Sequence, residues 1–397
     1  MTPGRKVLVL GLHHGALGIA RSLGRCGVMV YGATDDLSTP VSRSRYLQRV
    51  FSWCVDLEEP ARAVAELRAI GDRLERPLLL PTNDVATLLV EEHAEALLGS
   101  FDFRPRAPGL ARALSSKRGM YELCVSHGIP TPRTLFPSSV DDVAAKLEEL
   151  SFPVVVKVVD SLAGGASRLP RTTIAGNPEA AVASVRRLNG NALVQEYVPG
   201  GAESVWMFNG YFDERGDCLF GLTGRKLRQH PASGGITSLG LCVRNDTVHE
   251  LTRRLMRAIG YHGILDCGFR FDARDGQYKL LDVNPRIGGT FRLFVDTAGL
   301  DVARVWYRDL TGQPVEPGQA NDGRRWLVED IDLVSASRNM LDRTIGLRDW
   351  LGSLRHVDET AWLAGDDLWP ALWLPSCHLR ARLRRRASGP ARENSDT

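Results

Sequence analysis

The chain has 397 residues, of which 43% are hydrophobic and 24% charged, and its formal net charge is +3. That balance suits a globular protein of two or three packed units and is too weakly basic for a dedicated nucleic-acid binder. No apolar run reaches the ~18 residues of a transmembrane helix, and the seven cysteines form no CxxC pair, which excludes a disulfide scaffold or zinc ribbon and fits a reducing cytoplasm.

The opening, MTPGRKVLVLGL, runs straight into a strand pattern and lacks the layout of a signal peptide. Residues 5–12 read as a strand, HHGALG as a glycine turn feeding a helix over 19–25, and VMVYGAT as a second strand. This is the strand–turn–helix–strand unit of a doubly wound α/β domain. Gly11, Gly15 and Gly18 miss the GxGxxG spacing, although Asp35 and Asp36 lie where a ribose-binding acid would stand. The turn therefore admits a dinucleotide, or a substrate carboxylate held by free helix N–H groups. A helix over 59–74, a buried strand over 77–80 and a helix running to residue 98 follow. Asn83 and Asp84 begin that last helix, either as plain caps or as ligand contacts at the carboxyl end of a strand.

Residues 110–128 read as one helix ending at Gly128, before the breaker IPTP. A short strand at 134–136 and a helix over 140–150 lead to FPVVVKVVD, a buried strand with Lys157 at its middle. Arginine supplies 44 of the 50 cations, so a lysine inside an apolar segment marks a compact point charge, and one in VVVKVV needs an anion to meet it. The loop LAGGAS, 162–167, offers backbone N–H groups to phosphates. After a helix over 178–188, a strand over 193–198 ends at Pro-Gly-Gly, and Glu203 opens the next strand. CLFGLTGRKLRQ carries Arg225 and Lys226, HPASGGITSLG reads as a second small-residue loop, and 247–259 as a helix.

In 263–286, GILDCGFRFDARDGQYKLLDVNPR, alternation sets Tyr278, Leu280, Asp282 and Asn284 on one strand face. A carboxylate and an amide oxygen side by side suit a hard cation such as magnesium. Arg286, just beyond, can clamp a phosphoryl group. Past residue 320 a strand, RRWLVEDIDL, precedes helical segments bearing Trp350, Trp362, Trp369 and Trp373, which read as packing anchors. The basic run and polar tail at the end read as a frayed terminus, with a membrane-surface contact as the alternative.

The ordered set of Lys117, PVVVK with Lys157, QEYVPGGAE, Lys226 and LLDVNPR resembles the ATP-grasp superfamily. Within it the set looks like the carboxylate–amine ligases, distant relatives of D-alanine–D-alanine ligase and biotin carboxylase. The resemblance implies a mixed α/β and α+β architecture: a doubly wound N-terminal domain (1–112), a small lid (113–192), an antiparallel-sheet catalytic domain (193–318) and a C-terminal extension (319–397). It further implies ATP between lid and catalytic domain, with Lys117 and Lys157 on its phosphates. Gln195, Glu196, Tyr197 and Val198 would face its adenine, and Glu203 its ribose. Lys226 or Arg225 would meet the γ-phosphate. Asp282 and Asn284 would hold magnesium, or manganese in its place, and Arg286 would stabilise the transferring group. Where relatives carry a second metal-binding acid, this chain has Gly268. A hairpin turning at 274–275 would set Gly268 opposite Asp282 and Asp266 opposite Asn284, so Asp266 becomes the candidate for the missing role. Asp272 shares its face and is expected to be solvated; Arg292 reaches either a substrate anion or the surface. The implied activity joins a small carboxylate substrate to an amine substrate, and a homodimer is compatible with it. Two other readings stand beside it: a nucleotide-binding protein impaired by Gly268, and a nicotinamide-dependent oxidoreductase using the first glycine turn.

Overall fold

The computed structural model describes residues 4–55, 59–159, 172–189, 191–231 and 235–387. The first apolar run forms β1 (Val7–Leu10), with all four residues fully buried. It lies between β2 (Val30–Thr34) and β4 (Leu78–Pro81) in a parallel sheet whose outer strand is β3 (Leu47–Ser52), giving the order β3-β2-β1-β4. Strands covered on both faces are continuously apolar, which is why β1 and β4 are legible in the sequence. The edge strand β3 buries only Phe51 and gives no such signal. The expected helix to residue 98 is two pieces, Asp84–Glu92 and Ala94–Leu97.

The single helix expected over 110–128 is broken at Ser116 into Leu110–Ser115 and Lys117–Ser126. Ser116 is extended and its hydroxyl accepts from the Gly119 N–H, an N-cap that starts the second helix at Lys117. The two pieces pack so closely that a Cβ on Gly119 would lie 2.5 Å from the Ala113 carbonyl oxygen. The lid sheet has the order β5-β8-β6-β7, from β5 (Thr134–Leu135), β6 (Val154–Val158), β7 (Thr172–Ala175) and β8 (Ala192–Glu196). Because β8 pairs with β5 and β6, this sheet runs past the expected boundary at 192. The loop 162–167 lies outside the described residues.

Seven strands build the catalytic sheet in the order β13-β12-β9-β10-β11-β14-β15. They are β9 (Val205–Phe212), β10 (Cys218–His230), β11 (Ile236–Cys242), β12 (Gly263–Asp272), β13 (Gln277–Asn284), β14 (Arg325–Leu327) and β15 (Glu359–Thr360). The second half of the expected loop HPASGGITSLG is thus a strand, held by antiparallel pairing to β10. Glu203 lies in a 3-10 turn, Ala202–Ser204, ahead of β9 rather than in the strand. Residues beyond 318 enter the same sheet through β14 and β15. Part of the basic run is the end of the helix Trp369–Ala387, and residues 388–397 lie outside the described part.

One core joins the first domain to the catalytic sheet. Leu17, Ile19 and Leu23 of the helix His14–Gly24 pack there with Phe291, Phe294, Trp306 and Trp326. A second core lies between the sheet and the helix Asp246–Ala258, around Phe208, Leu255, Cys267 and Leu280. These two layers hold β9, β10 and β12 rigidly between them, and β12 with β13 carries the site.

Candidate active site

A cleft of about 800 Å3 is lined by lid, catalytic sheet and first domain together. Of the predicted residues, Lys117, Lys157, Gln195, Glu196, Tyr197, Val198, Lys226, Asp266, Asp282, Asn284 and Arg286 all line it, with Gly268 between the acids. Glu203 and Arg225 are not among its lining residues. Glu203 is exposed, and its carboxylate accepts from the Gly201 N–H at 3.1 Å, closing its own turn. Strand alternation turns Arg225 to the opposite face of β10 from Lys226, where its buried Nε has no partner among the described residues.

At the lid end the cations are short of acids. Lys157 Nζ donates to Gln195 Oε1 at 2.8 Å, and Gln195 Nε2 donates to Thr134 Oγ1 at 2.9 Å, so the Gln195 amide positions the lysine. Burial, and then the charge of Lys117, push the Lys157 pKa down to about 8. Lys226 donates to the Gly235 carbonyl at 2.5 Å, and burial lowers its pKa against the pull of Asp282 and Asp266. Arg270 also lines the cleft. It had gone unnoticed, though it shares the Asp266–Gly268 face of β12 by alternation. The Glu196 carboxylate is taken up by Arg274 (2.6 Å), Lys279 (3.4 Å) and the Arg133 N–H (3.2 Å). Its side chain is therefore committed to the hairpin, and half-buried Tyr197 and buried Val198, beyond the end of β8, line the cleft beside it.

The hairpin has the expected register: Asp266 pairs with Asn284 and Gly268 with Asp282. The expected common face of Tyr278, Leu280, Asp282 and Asn284 is nonetheless broken. Gly268 pairs with Asp282 while Phe269 pairs with Leu280, leaving Leu281 as a bulge. The extra residue inverts the alternation, so Leu280 packs in the core while Leu281 and Asp282 line the cleft. Asn284 Nδ2 donates to Asp282 Oδ2 at 3.0 Å and to Asp266 Oδ2 at 3.4 Å. Its Oδ1 accepts from Arg286 at 3.3 Å. Burial, with added repulsion from Asp282, raises the Asp266 pKa to about 6 in spite of nearby Arg286. A Cβ on Gly268 would lie 2.4 Å from Asp282 Oδ1, so the Asp282 carboxylate occupies the room a side chain at 268 would need.

Among the described residues no three His, Cys, Asp or Glu side chains form a ready metal cluster. The donor set is two carboxylates and one amide, which would offer its oxygen once turned from Arg286, and the crowding of Asp266 and Asp282 would be relieved by a cation; these residues fit magnesium.

Arg286 is held by Asp84 at 2.5 Å, so Asp84 is more than a helix-start residue, while Asn83 caps through the Ala86 N–H at 2.8 Å and also lines the cleft. His13 and His14, which sequence reasoning passed over, line the same end. His13 Nδ1 accepts from the Gly15 N–H at 3.0 Å and its Nε2 lies 3.1 Å from the Thr82 carbonyl. Burial lowers the pKa of His13, and that of His14 to about 4. The paired histidines were the only signal, and an HH pair beside glycines carries none by itself.

Three expectations fail here. The glycine turn is filled: a Cβ on Gly11 would meet the Asn83 amide nitrogen at 2.4 Å, and one on Gly15 the Gly289 Cα at 2.9 Å, so no room remains for a dinucleotide pyrophosphate. Asp35 and Asp36 do not line the cleft, and Asp36 accepts from the Ser38 N–H at 2.9 Å. Asp272 is fully buried rather than solvated; the Arg274 guanidinium (2.6 Å) and Lys279 (2.7 Å) hold its carboxyl far below the usual range. Arg292 is buried against Asp301 and Glu359 and serves the core, since these acids raise its pKa despite burial.

No family model matches the chain. It is 23% identical to D-aspartate ligase of Enterococcus faecium over 281 residues, which cover 65% of this chain and 65% of that enzyme. N5-carboxyaminoimidazole ribonucleotide synthetase from Thermus thermophilus superposes with a TM-score of 0.60 at 15% identity, covering 80% of this chain and 81% of that one. The biotin carboxylase domain dimer of Hydrogenobacter thermophilus 2-oxoglutarate carboxylase, in complex with MgADP and bicarbonate, superposes with a TM-score of 0.61 at 16% identity, covering 82% and 74%. Among the described residues no helix is long and apolar enough to cross a membrane. With its parallel first sheet, small lid and antiparallel sheet around one cleft, the chain has the ATP-grasp fold and resembles the carboxylate–amine ligases built on it.

Proposed function

We propose that the chain is an ATP-dependent ligase that joins a carboxylate to an amine through an acyl phosphate. The observation that carries the reading is the set of side chains gathered in one cleft: the cations Lys117, Lys157, Lys226, Arg270 and Arg286 together with Asp266, Asp282 and Asn284. A buried lysine next to another lysine is unfavourable until a polyanion arrives, which matches the triphosphate of ATP.

In this reading the backbone of 196–198 faces the adenine, and Lys117, Lys157 and Lys226 neutralise the phosphates. Asp266, Asp282 and Asn284 would hold magnesium, whose contribution is to screen charge on the β- and γ-phosphates. The substrate carboxylate attacks the γ-phosphorus, the bond to ADP breaks, and an acyl phosphate forms. Arg286, itself fixed by Asp84, would stabilise charge on the transferring group. The free amine then attacks the acyl carbon, inorganic phosphate leaves with the bonding pair, and the amine proton is lost to give the amide. The lid keeps water from the intermediate. His13, His14, Thr82 and Asn83 border the end of the cleft away from the lid, where the carboxylate or amine substrate would lie. An amino acid or small peptide fits this end, and similarity to D-aspartate ligase makes aspartate the first substrate to try.

ADP release is to be screened over carboxylates, D-aspartate included, alone and with amines, with products identified by mass. Asp282→Asn is expected to abolish magnesium-dependent ADP formation with an unchanged circular dichroism spectrum; full turnover in that variant removes the metal assignment. Gly268 supports one other reading, a nucleotide-binding protein without chemistry. ADP binding with no ADP release across the whole panel would favour it.

A further inference from the structure

The row of polar side chains across the catalytic sheet has a member outside the cleft. On β9, Asn209 stands opposite Asp266 of β12, and Asp266 stands opposite Asn284 of β13. Neighbouring strands lie ~4.8 Å apart, so these three side chains form one row on one face. Asn209 is fully buried, and neither its Oδ1 nor its Nδ2 makes a hydrogen bond of ordinary length among the described residues, although its amide lies close enough to the Asp266 carboxylate to lower that group's pKa. Its surroundings are otherwise apolar: Met207 and Tyr211 share its face of β9, and Leu222 is opposite on β10. An unpaired primary amide in such a place is costly, and valine or leucine would suit the strand better. The other flank of Asp266 is closed by backbone, since a Cβ on Gly288 would lie 2.5 Å from the Asp266 Cγ. The carboxylate is thus confined between Gly288, Asn284 and the Asn209 amide.

We propose that Asn209 is a positioning residue for the cation site: its Nδ2–H donates, from the β9 side, to the Asp266 carboxylate oxygen that a divalent cation between Asp266 and Asp282 leaves free, fixing that group as the second acid that Gly268 does not supply. The inference rests on the reading that Asp266, Asp282 and Asn284 hold the cation. Removing a group that orients a metal ligand typically weakens metal binding 10–100-fold. Removing an unpaired buried amide in favour of an apolar side chain of similar shape leaves folding unharmed or improved. Those opposite signs separate positioning from a structural role.

The test is Mn2+ binding to the full chain at saturating ADP, followed by the electron paramagnetic resonance signal of free Mn2+, for the natural chain, Asn209→Leu, Asn209→Val and Asp282→Asn. Thermal midpoints are measured without metal. The expected result is a dissociation constant raised about 10–100-fold in both Asn209 variants, with midpoints equal to or above that of the natural chain. Valine is the smaller and more strand-compatible replacement should leucine disturb folding. If Asp282→Asn loses Mn2+ while both Asn209 variants keep natural affinity, the role of Asn209 is overturned and the cation reading stands. If Asp282→Asn binds Mn2+ normally, the cation reading fails and this inference falls with it. A loss of affinity that merely follows a lowered midpoint assigns Asn209 to folding and also overturns the proposal.

Discussion

Gly268 and Lys157 illustrate how single residues set the properties of the cleft. Because Asp282 already fills the room above Gly268, even one methyl group there must displace the carboxylate. Misplacing a reacting or orienting group by about 1 Å costs roughly 100-fold in rate, so Gly268→Ala is expected to lower the rate of ADP formation by about that factor while the fold persists. Steady-state rates with matched circular dichroism spectra check it. Lys157 gives a pH signature. Its pKa is about 8 in the fold against an ordinary 10.5. The charged, phosphate-binding form therefore dominates below pH 8 in the free protein, and ADP affinity falls as pH rises through that value. Between pH 8 and 10.5 the unfolded chain holds more protons than the native one, so this lysine's contribution to stability rises with pH over the same window. Lys157→Met is expected to weaken ADP binding by roughly 10–100-fold, the loss of one charge-assisted hydrogen bond, and to flatten the pH dependence. Calorimetric titrations from pH 7 to 9.5 read both effects.

The helix His14–Gly24 is the element that ties the first domain to the site. Its inner face packs against Phe291 and Phe294, and its first residue, His14, packs against Trp326 and Trp362 at ring separations of 5.9 and 6.1 Å. Burial holds the His14 pKa at about 4 against an ordinary 6.5. Below pH 6.5 the unfolded chain takes up a proton that the native chain refuses until about pH 4. Stability is therefore present above 6.5 and is lost as pH falls between these values. The shift corresponds to at most ~3 kcal/mol. His14→Gln is expected to retain more stability on going from pH 7 to 5 than the natural chain does. Urea midpoints at the two pH values measure this.

Across the whole molecule, a buried ion pair helps fasten the C-terminal extension to the catalytic sheet, beside the strand pairing of β14 with β11. Arg228 of β10 meets Asp332 at 2.8 and 2.9 Å, and Asp332 also accepts from Ser238 and from the Trp350 indole, both at 2.9 Å. Both members of the ion pair are buried. Breaking such a pair strands an unpaired charge and costs about 3–5 kcal/mol, whereas replacing both members with apolar residues is close to neutral. Asp332→Leu is expected to lose about that much stability, and Arg228→Met with Asp332→Leu to regain most of it, in chemical denaturation of the full chain. Since β10 also carries Lys226 into the cleft, the single variant is expected to weaken ADP binding as well, and the double variant to restore it.

Local sequence alone determined the strand VLVL, because burial on both sides leaves a continuous apolar run, and the strand VVVKV, whose Val154 and Val156 pack in the lid core while Val155 and Lys157 line the cleft. It also pointed to Asp266 opposite Asn284, although the pairing of Asp272 with Gln277 beside the turn reaches that register only through the extra residue at Leu281. Elements whose stability comes from distant pairing left no such mark: the edge strand Leu47–Ser52, the exposed lid strand Thr172–Ala175 and the strand Ile236–Cys242 hidden in a glycine-rich stretch. The break at Ser116 was equally hidden, because it depends on Gly119 packing against Ala113. Charged residues divided in the same way. Spacing could mark Asp272 and Arg292 as candidates, but only the fold, by supplying Lys279 and Arg274 to one and Asp301 and Glu359 to the other, decided that they serve the interior. The bulge at Leu281 and the arrival of His13, His14 and Asp84 beside Arg286 are decisions of the same kind. A side chain's type and spacing state what it can bind, while its partner is set by which distant backbone the packed cores bring within reach.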